Sequence, residues 1–440
     1  MRSVTEHQTI GEQQGDVTRS GDVRTRTGLA PRAHLLLIVA VALLARLISL
    51  KMVQPWPIGP DSILWKSGLE IVNIAQAMVS HHGFSSPFGV RSPPTAWIPP
   101  VYPGIMSFVF FLSGIKTGAA AVIILTLQAF FSALTCVPLY GIGRRAFGHP
   151  VGLVASWAWA VFPYTVLIPV LFIWETALSA FLLALLCDLC MRLGSMTTLS
   201  KAGVGVLWGI AGLTNTALFS VLPLFLCWPF LQSRNRRESV KSLLIVLVCC
   251  FVTVVPWLWR DWRSLHALLP IRSNFGEEFW LGNHQGGTGR TAYGLNPPEN
   301  TRELQQYLAL GEVNFVHMKQ REAWDFISAH PDMFFRWTLY RISYWWYGKG
   351  ESAPIFLFYT LMSVLSIAGM TVAFLRRNYD AILLSIAVLL YPVLYYITDI
   401  YARYRHPIEP LMTVLGAFLV VDLLRLARNS PWLRRSRDHA

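Results

Sequence analysis

Glu70 is the acid best placed for chemistry in this chain. It opens the stretch 69–79, in which Ile71, Ile74, Ala75 and Met78 recur at the three-to-four spacing of an amphipathic helix. A helix of that kind lying on a membrane would hold the carboxylate at the lipid boundary. Partial burial there raises a carboxyl pKa and makes it a better base. The same residue also suits the plainer role of an acid in a helix's first turn, favoured by the dipole. Asp61 is a second candidate, although Gly59-Pro60-Asp61-Ser62 is equally a good turn sequence. Lys66 lies between the two acids, available to a phosphate or simply solvated. A further acid, Glu175 in Phe172-Ile173-Trp174-Glu175-Thr176, is expected inside a membrane span. There it must be hydrated or hydrogen-bonded, facing a polar cavity or a neighbouring helix.

Cations to match these acids occur in Tyr401-Ala402-Arg403-Tyr404-Arg405-His406-Pro407, a short connector between apolar stretches. Arg403 and Arg405 could bind an anion at the membrane face, or lay their stems along lipid with the charge in water. A longer polar segment, from Arg272 to Gly289, sets Glu277, Glu278, Asn283, His284 and Gln285 beside Phe275, Phe279 and Trp280. Rings that cover C–H faces, together with groups that bind hydroxyls, suit a sugar. Trp97 and Tyr102, in Trp97-Ile98-Pro99-Pro100-Val101-Tyr102-Pro103, extend the same chemistry to the first loop. The glycines at 286, 287 and 289 do not form a P-loop, because no Gly-Lys-Ser/Thr follows. They would suit a mobile flap or an ordinary glycine-rich loop.

The elements that must position these groups are membrane helices. Of 440 residues, 54% are hydrophobic and only 14% charged, against roughly 25% in a soluble domain. The 17 Trp and 15 Tyr fit aromatic belts at two interfaces. A net charge of +13 does not indicate nucleic acid, since the Lys and Arg sit largely in connectors beside apolar runs. Apolar runs at 33–53, 118–141, 151–168, 169–191, 202–217, 218–231, 240–259, 354–375, 380–397 and 406–427 predict an all-α polytopic protein with about ten spans. The two shorter runs, 202–217 and 218–231, are expected to be tilted, kinked or partly re-entrant. The segment 99–114 is apolar but begins with prolines. Taken as an interfacial helix, it leaves the basic connectors at 144–145, 192–201, 234–241 and 376–377 on one side, cytoplasmic by the positive-inside bias. Two long extracytoplasmic loops follow, 54–117 and 260–353, and the second carries further helical spacing over 303–347, broken at His330-Pro331. Residues 1–32 read as a disordered cytoplasmic tail, 33–427 as the transmembrane domain and 428–440 as a basic cytoplasmic tail.

Several patterns carry no chemistry. All six cysteines lie in apolar segments, so no disulfide framework is expected, and Cys187-x-x-Cys190 reads as two small buried hydrophobes. His81-His82 lacks a metal-ligand pattern and reads as an interfacial pair. Arg46 lies in the first span, three residues before Ser49-Leu50-Lys51, and is expected to snorkel.

With these residues in place, the chain resembles the GT-C superfamily of membrane glycosyltransferases. The branch is that of bacterial relatives of dolichyl-phosphate-mannose–protein mannosyltransferases and of the lipid A aminoarabinose transferase. The resemblance runs from about residue 33 to 427 and is carried by five segments: Glu70 to Gly83-Phe84, Thr95 to Pro103, Gly143-Arg144-Arg145-Ala146-Phe147-Gly148, Trp174-Glu175-Thr176, and Tyr404-Arg405-His406-Pro407-Ile408-Glu409-Pro410. Where family members often carry adjacent Asp-Glu at the start of the first-loop helix, this chain has Lys66-Ser67-Gly68-Leu69-Glu70. The resemblance implies an inverting hexosyl- or pentosyltransferase in a bacterial inner membrane, with its active site on the extracytoplasmic face among membrane lipids. The donor would be a polyprenyl-phosphate sugar and the acceptor a lipid, glycan or protein. Glu70, or Asp61, would be the base. Arg403, Arg405 and Lys66 would hold the donor phosphate, and Trp97, Tyr102, Glu175, Glu278, Asn283 and His284 would contact substrate. No metal ligands are assigned; relatives differ on divalent ions, so a metal is open. A transporter or lipid flippase would place its charges near mid-span, whereas most charges here lie in loops. A polysaccharide polymerase or ligase shares the many spans and the large loop.

Overall fold

A computed structural model describes residues 31–232, 235–290 and 294–429. The expected tails, 1–32 and 428–440, lie almost wholly outside the described residues. Helices account for the architecture, and the described residues contain one isolated β-bridge, Ser85 to Pro94, and no strand. Six helices are long and apolar enough to cross a membrane: Arg32–Val53, Gly118–Phe147, Arg236–Leu265, Ala353–Leu375, Tyr379–Ile397 and Ala402–Arg428. A seventh crossing is supplied if the bent pair His149–Val161 and Pro163–Leu171 counts as one span. Thr176–Cys190 and the interrupted Thr216–Leu231 are apolar but shorter. The chain is thus a multi-pass membrane protein.

Two sequence expectations are corrected in this bundle. The apolar run 151–191 does not divide at Pro169, which lies within the Pro163–Leu171 helix. The bend of 49° falls at Phe162-Pro163, and the real break is at 172–175, which puts Glu175 at the start of the Thr176–Cys190 helix rather than inside a span. Arg46 does not snorkel, for it is fully buried. Its guanidinium donates to Ser132 Oγ at 2.8 Å and to the carbonyls of Trp159, Ala160 and Thr165 at 3.1, 3.2 and 3.2 Å. Pro163 has no N–H to return to the Trp159 carbonyl, so the bend strands acceptors in an apolar interior, and Arg46 satisfies them.

The first loop forms the predicted helix over Leu69–Val79, then Val101–Ser113. At 1.5 Å per residue the second is only about 20 Å long, too short to cross the hydrocarbon. The second loop carries Phe275–Gly282, Thr301–Leu310, Glu312–Ala329 and Pro331–Tyr347, with the predicted break at His330. Buried polar groups stitch the two loops together, which places both at one end of the bundle. Glu312 accepts from Ala96 N and Ser273 Oγ at 2.7 Å, from Tyr307 Oη at 2.9 Å and from Thr95 Oγ1. Arg260 donates to the carbonyls of Thr95 and Phe84 at 2.6 and 2.7 Å. Removing the Glu312 carboxylate leaves its buried donors unpaired, at about 1–3 kcal/mol each. Glu312→Leu is therefore expected to lower stability by about 3 kcal/mol or more, read as a drop in unfolding temperature in detergent. At the other end of the bundle, Asp188 pairs with Arg145 and Arg192, and Asp422 with Arg376.

Candidate active site

A cavity of about 420 Å³ opens where the stitched loops meet the bundle. Five of the residues assigned a role from the sequence line it: Glu70, Trp97, Glu175, Glu278 and Arg403. They come from five separate stretches of chain, and local packing explains how they arrive.

Glu70 and Glu175 are brought together by a backbone contact. Ser67 Oγ accepts from Ile173 N at 3.2 Å, and Gly68 lies flat on the same strand of backbone, where a Cβ would meet the Ile173 carbonyl oxygen at 2.4 Å. Only glycine permits that approach, which sets the start of the Leu69–Val79 helix against the 172–175 break. Gly68→Ala is expected to lower the unfolding temperature and cut whatever activity depends on both acids, because the two backbones must separate. The break itself is held by Gln128. Its amide donates to the carbonyls of Pro169 and Phe172 at 2.7 and 3.0 Å, and its oxygen accepts from Trp174 N at 3.2 Å and from Tyr102 Oη.

Arg403 enters from a 3-10 helix, Ala402–Ile408. Its guanidinium carbon lies 4.4 Å from the ring centre of Trp174, 4.2 Å from that of Tyr401 and 5.3 Å from that of Tyr404. No carboxylate among the described residues lies within ion-pairing distance of it, and its Nε is buried without a hydrogen-bond partner. An aromatic cage tolerates a cation while leaving its donors available for an anion. On the far wall, Glu278 accepts from Arg272 and Asn274 at 3.1 and 3.0 Å and from Tyr404 Oη at 3.3 Å. Arg272 also donates to the Trp97 carbonyl at 3.2 Å, so this one guanidinium fixes both loops around the cavity.

Burial pushes the Glu70 carboxyl above the ordinary glutamate value, and the nearby Arg403 guanidinium partly opposes that shift. Glu277, also in the wall, is raised to about 8, chiefly by burial and against the pull of Lys319. Both of its carboxyl oxygens are buried without hydrogen-bond partners. From the ordinary 4.5 up to about 8, the folded protein holds this proton while the unfolded chain has lost it, so stability falls as pH rises through that window. The slope is at most about 1.4 kcal/mol per pH unit. Glu277→Gln is expected to flatten that fall and to exceed the wild type in unfolding temperature at pH 8.

Other sequence candidates stand off the cavity. Asp61 and Lys66 are exposed and do not line it. Tyr102 is buried and acts on the site only through Gln128. Asn283 bridges Phe279 and Ile397 carbonyls and accepts from Arg341 at 3.1 Å, which is an internal bracket. His284 stacks on Trp280, and burial lowers its pKa. Arg405 points away from Arg403, because residues two apart on a 3-10 helix face different sides. It is buried against Trp345 O at 2.9 Å and Glu409 at 3.4 Å. The residues not assigned from sequence are Glu277, Arg272, Tyr401 and Tyr404. The cue for the tyrosines was their place on either side of Arg403; Glu277 and Arg272 had only their loop to mark them. Among the described residues no three His, Cys, Asp or Glu side chains converge as metal ligands would.

A second, mostly apolar cavity of about 650 Å³ adjoins the first. Phe162, Tyr164, Leu167, Leu171, Phe358 and Leu361 form much of it, and Tyr401 and Arg403 belong to the walls of both cavities.

No family profile and no curated protein matches the sequence. Solved structures do share the fold. The Archaeoglobus fulgidus oligosaccharyltransferase, in complex with zinc and sulfate, superposes with a TM-score of 0.54 at 13% identity, over 90% of this chain and 49% of that one. ArnT from Cupriavidus metallidurans, bound to undecaprenyl phosphate, superposes with a TM-score of 0.50 at 15% identity, over 89% of this chain and 61% of that one. This chain thus spans 49% and 61% of the length of these two solved proteins.

Proposed function

We propose that this protein is a glycosyltransferase that moves one sugar from a polyprenyl-phosphate donor to a hydroxyl-bearing acceptor at the extracytoplasmic face of a bacterial inner membrane. The observation that carries the reading is the position of Arg403. Its guanidinium sits in the wall shared by an apolar cavity and a polar, acid-bearing one. A lipid-phosphate sugar has that same order of parts: a hydrocarbon chain, an anionic phosphate and a polyol. The chain would lie among Phe162, Leu167 and Phe358, the phosphate against Arg403, and the sugar toward Glu70.

In the reaction, the Glu70 carboxylate takes the proton of the acceptor hydroxyl. The acceptor oxygen attacks the anomeric carbon from the face opposite the phosphate, and the bond from that carbon to the phosphate oxygen breaks. The electron pair leaves on the phosphate, where Arg403 stabilises the added charge. The product is an inverted glycoside plus polyprenyl phosphate. Glu175, Glu278 and Trp97 would bind sugar or acceptor. The basic ends that pair with Asp188 and Asp422 support a cytoplasmic placement of the opposite end of the bundle.

The test is incubation of the purified protein with lipid-linked monosaccharides and candidate acceptors, with products identified by mass spectrometry. The expected result is an acceptor heavier by one sugar and stoichiometric polyprenyl phosphate. Flux of lipid-linked sugar across liposomes with no glycosylated product, or transfer of whole glycan chains, contradicts it.

A further inference from the structure

A third cavity, of about 360 Å³, lies on the other side of the Leu69–Val79 helix from the active site. Glu70 faces the first cavity, while Asn73, Gln76 and Ser80 line this one, and the turn at Phe88-Gly89 divides the two. His82, Ser86, Arg91 and Lys116 complete its polar wall, and no acidic side chain contributes to it. Neither Arg91 nor Lys116 forms an ion pair among the described residues. Asn73 is buried at the floor and donates its amide N–H to the Pro87 carbonyl at 3.0 Å. Because that carbonyl can only accept, the Asn73 oxygen is the atom left over, and it accepts no hydrogen bond among the described residues.

Two cations without counter-ions call for an anion. An unused acceptor at the floor, with Gln76 and Ser80 beside it, suits hydroxyl groups as well. The surroundings indicate where such a ligand comes from. Lys116 follows the Val101–Ser113 helix, whose Phe108, Phe111 and Leu112 are 63%, 74% and 64% exposed, an apolar face that belongs against acyl chains. We propose that this cavity binds the headgroup of a phosphoglycerol lipid, with Arg91 and Lys116 on the phosphate and Asn73, Gln76 and Ser80 on the glycerol hydroxyls. The site is separate from the transferase cavity, and its occupancy does not depend on the transfer reaction.

The test is binding by the full-length protein in a neutral detergent, read by native mass spectrometry, with four probes: short-chain phosphatidylglycerol, short-chain phosphatidylcholine, glycerol 3-phosphate and inorganic phosphate. Phosphatidylglycerol is expected to bind and phosphatidylcholine is not; glycerol 3-phosphate should compete weakly and inorganic phosphate least. The Arg91→Ala/Lys116→Ala double variant should weaken phosphatidylglycerol binding roughly 30-fold, at about 1 kcal/mol per charge. Gln76→Glu, which places an anion in the wall, should abolish it, while Arg91→Lys/Lys116→Arg should retain it. Equal binding of both lipids, or an unchanged affinity in the double variant, overturns the site. Inorganic phosphate binding as tightly as the lipid overturns the lipid as its ligand.

Discussion

Glu70→Gln is expected to reduce sugar transfer by about 10²–10⁴-fold while leaving the unfolding temperature near that of the wild type. The amide keeps the size of the side chain but cannot take a proton. Its cost in folding is small because burial already disfavours the charged carboxylate. The wild-type rate should rise with pH along an acidic limb placed above the ordinary glutamate value of 4.5, since the base must first lose the proton that burial helps it hold. The variant's residual rate should lack that limb. Asp61→Asn, at an exposed position outside the cavity, should leave both rate and profile unchanged. Full activity in Glu70→Gln together with loss in Asp61→Asn would transfer the role of base to Asp61 and would require the first loop to rearrange.

Arg403→Ala carries the second large effect, a fall in kcat/KM of about 10²–10³-fold. The guanidinium is asked to bind phosphate in the ground state and to stabilise the charge that collects there as the sugar departs, so both KM and kcat should suffer. Arg403→Lys should recover only part of the loss, because a point charge neither stacks between Trp174 and Tyr401 nor donates in a planar fork. Arg405→Ala should behave differently. That residue holds backbone carbonyls and Glu409 in the buried interior, so its loss should lower the unfolding temperature first and activity only as folded protein is lost. The contrast between two arginines two positions apart separates a cavity role from a packing role.

The fold was legible where hydrophobic spacing is long or strict. The Leu69–Val79 helix, the long spans and the break at His330 all announce themselves in that way. Polar residues inside apolar runs were harder to read, because their meaning depends on partners far along the chain. Arg46 looked like a snorkelling cation until the bend at Pro163, over a hundred residues on, showed which carbonyls it serves. Glu175 looked like an acid within a span because a break in an apolar run leaves no mark on composition. For the site, the cavity gathers Glu70, Glu175, Glu278 and Arg403 from the connectors that residue type singled out. Side-chain direction was not legible: Arg403 and Arg405 are equivalent in sequence terms, and only the tight turn of a 3-10 helix sends them apart. Asn283 and His284 belonged to a sugar-like composition yet serve as internal brackets.

The central claim is that one guanidinium, Arg403, joins a lipid-binding cavity to a sugar-binding one. Electron cryomicroscopy of the protein with a non-hydrolysable polyprenyl-phosphonate sugar tests it most directly. The account predicts a phosphonate oxygen about 2.7–2.9 Å from the Arg403 guanidinium, the chain along Phe162, Leu167 and Phe358, and the sugar turned toward Glu70. A phosphonate lodged elsewhere, with the cavity beside Glu70 empty of sugar, would contradict it.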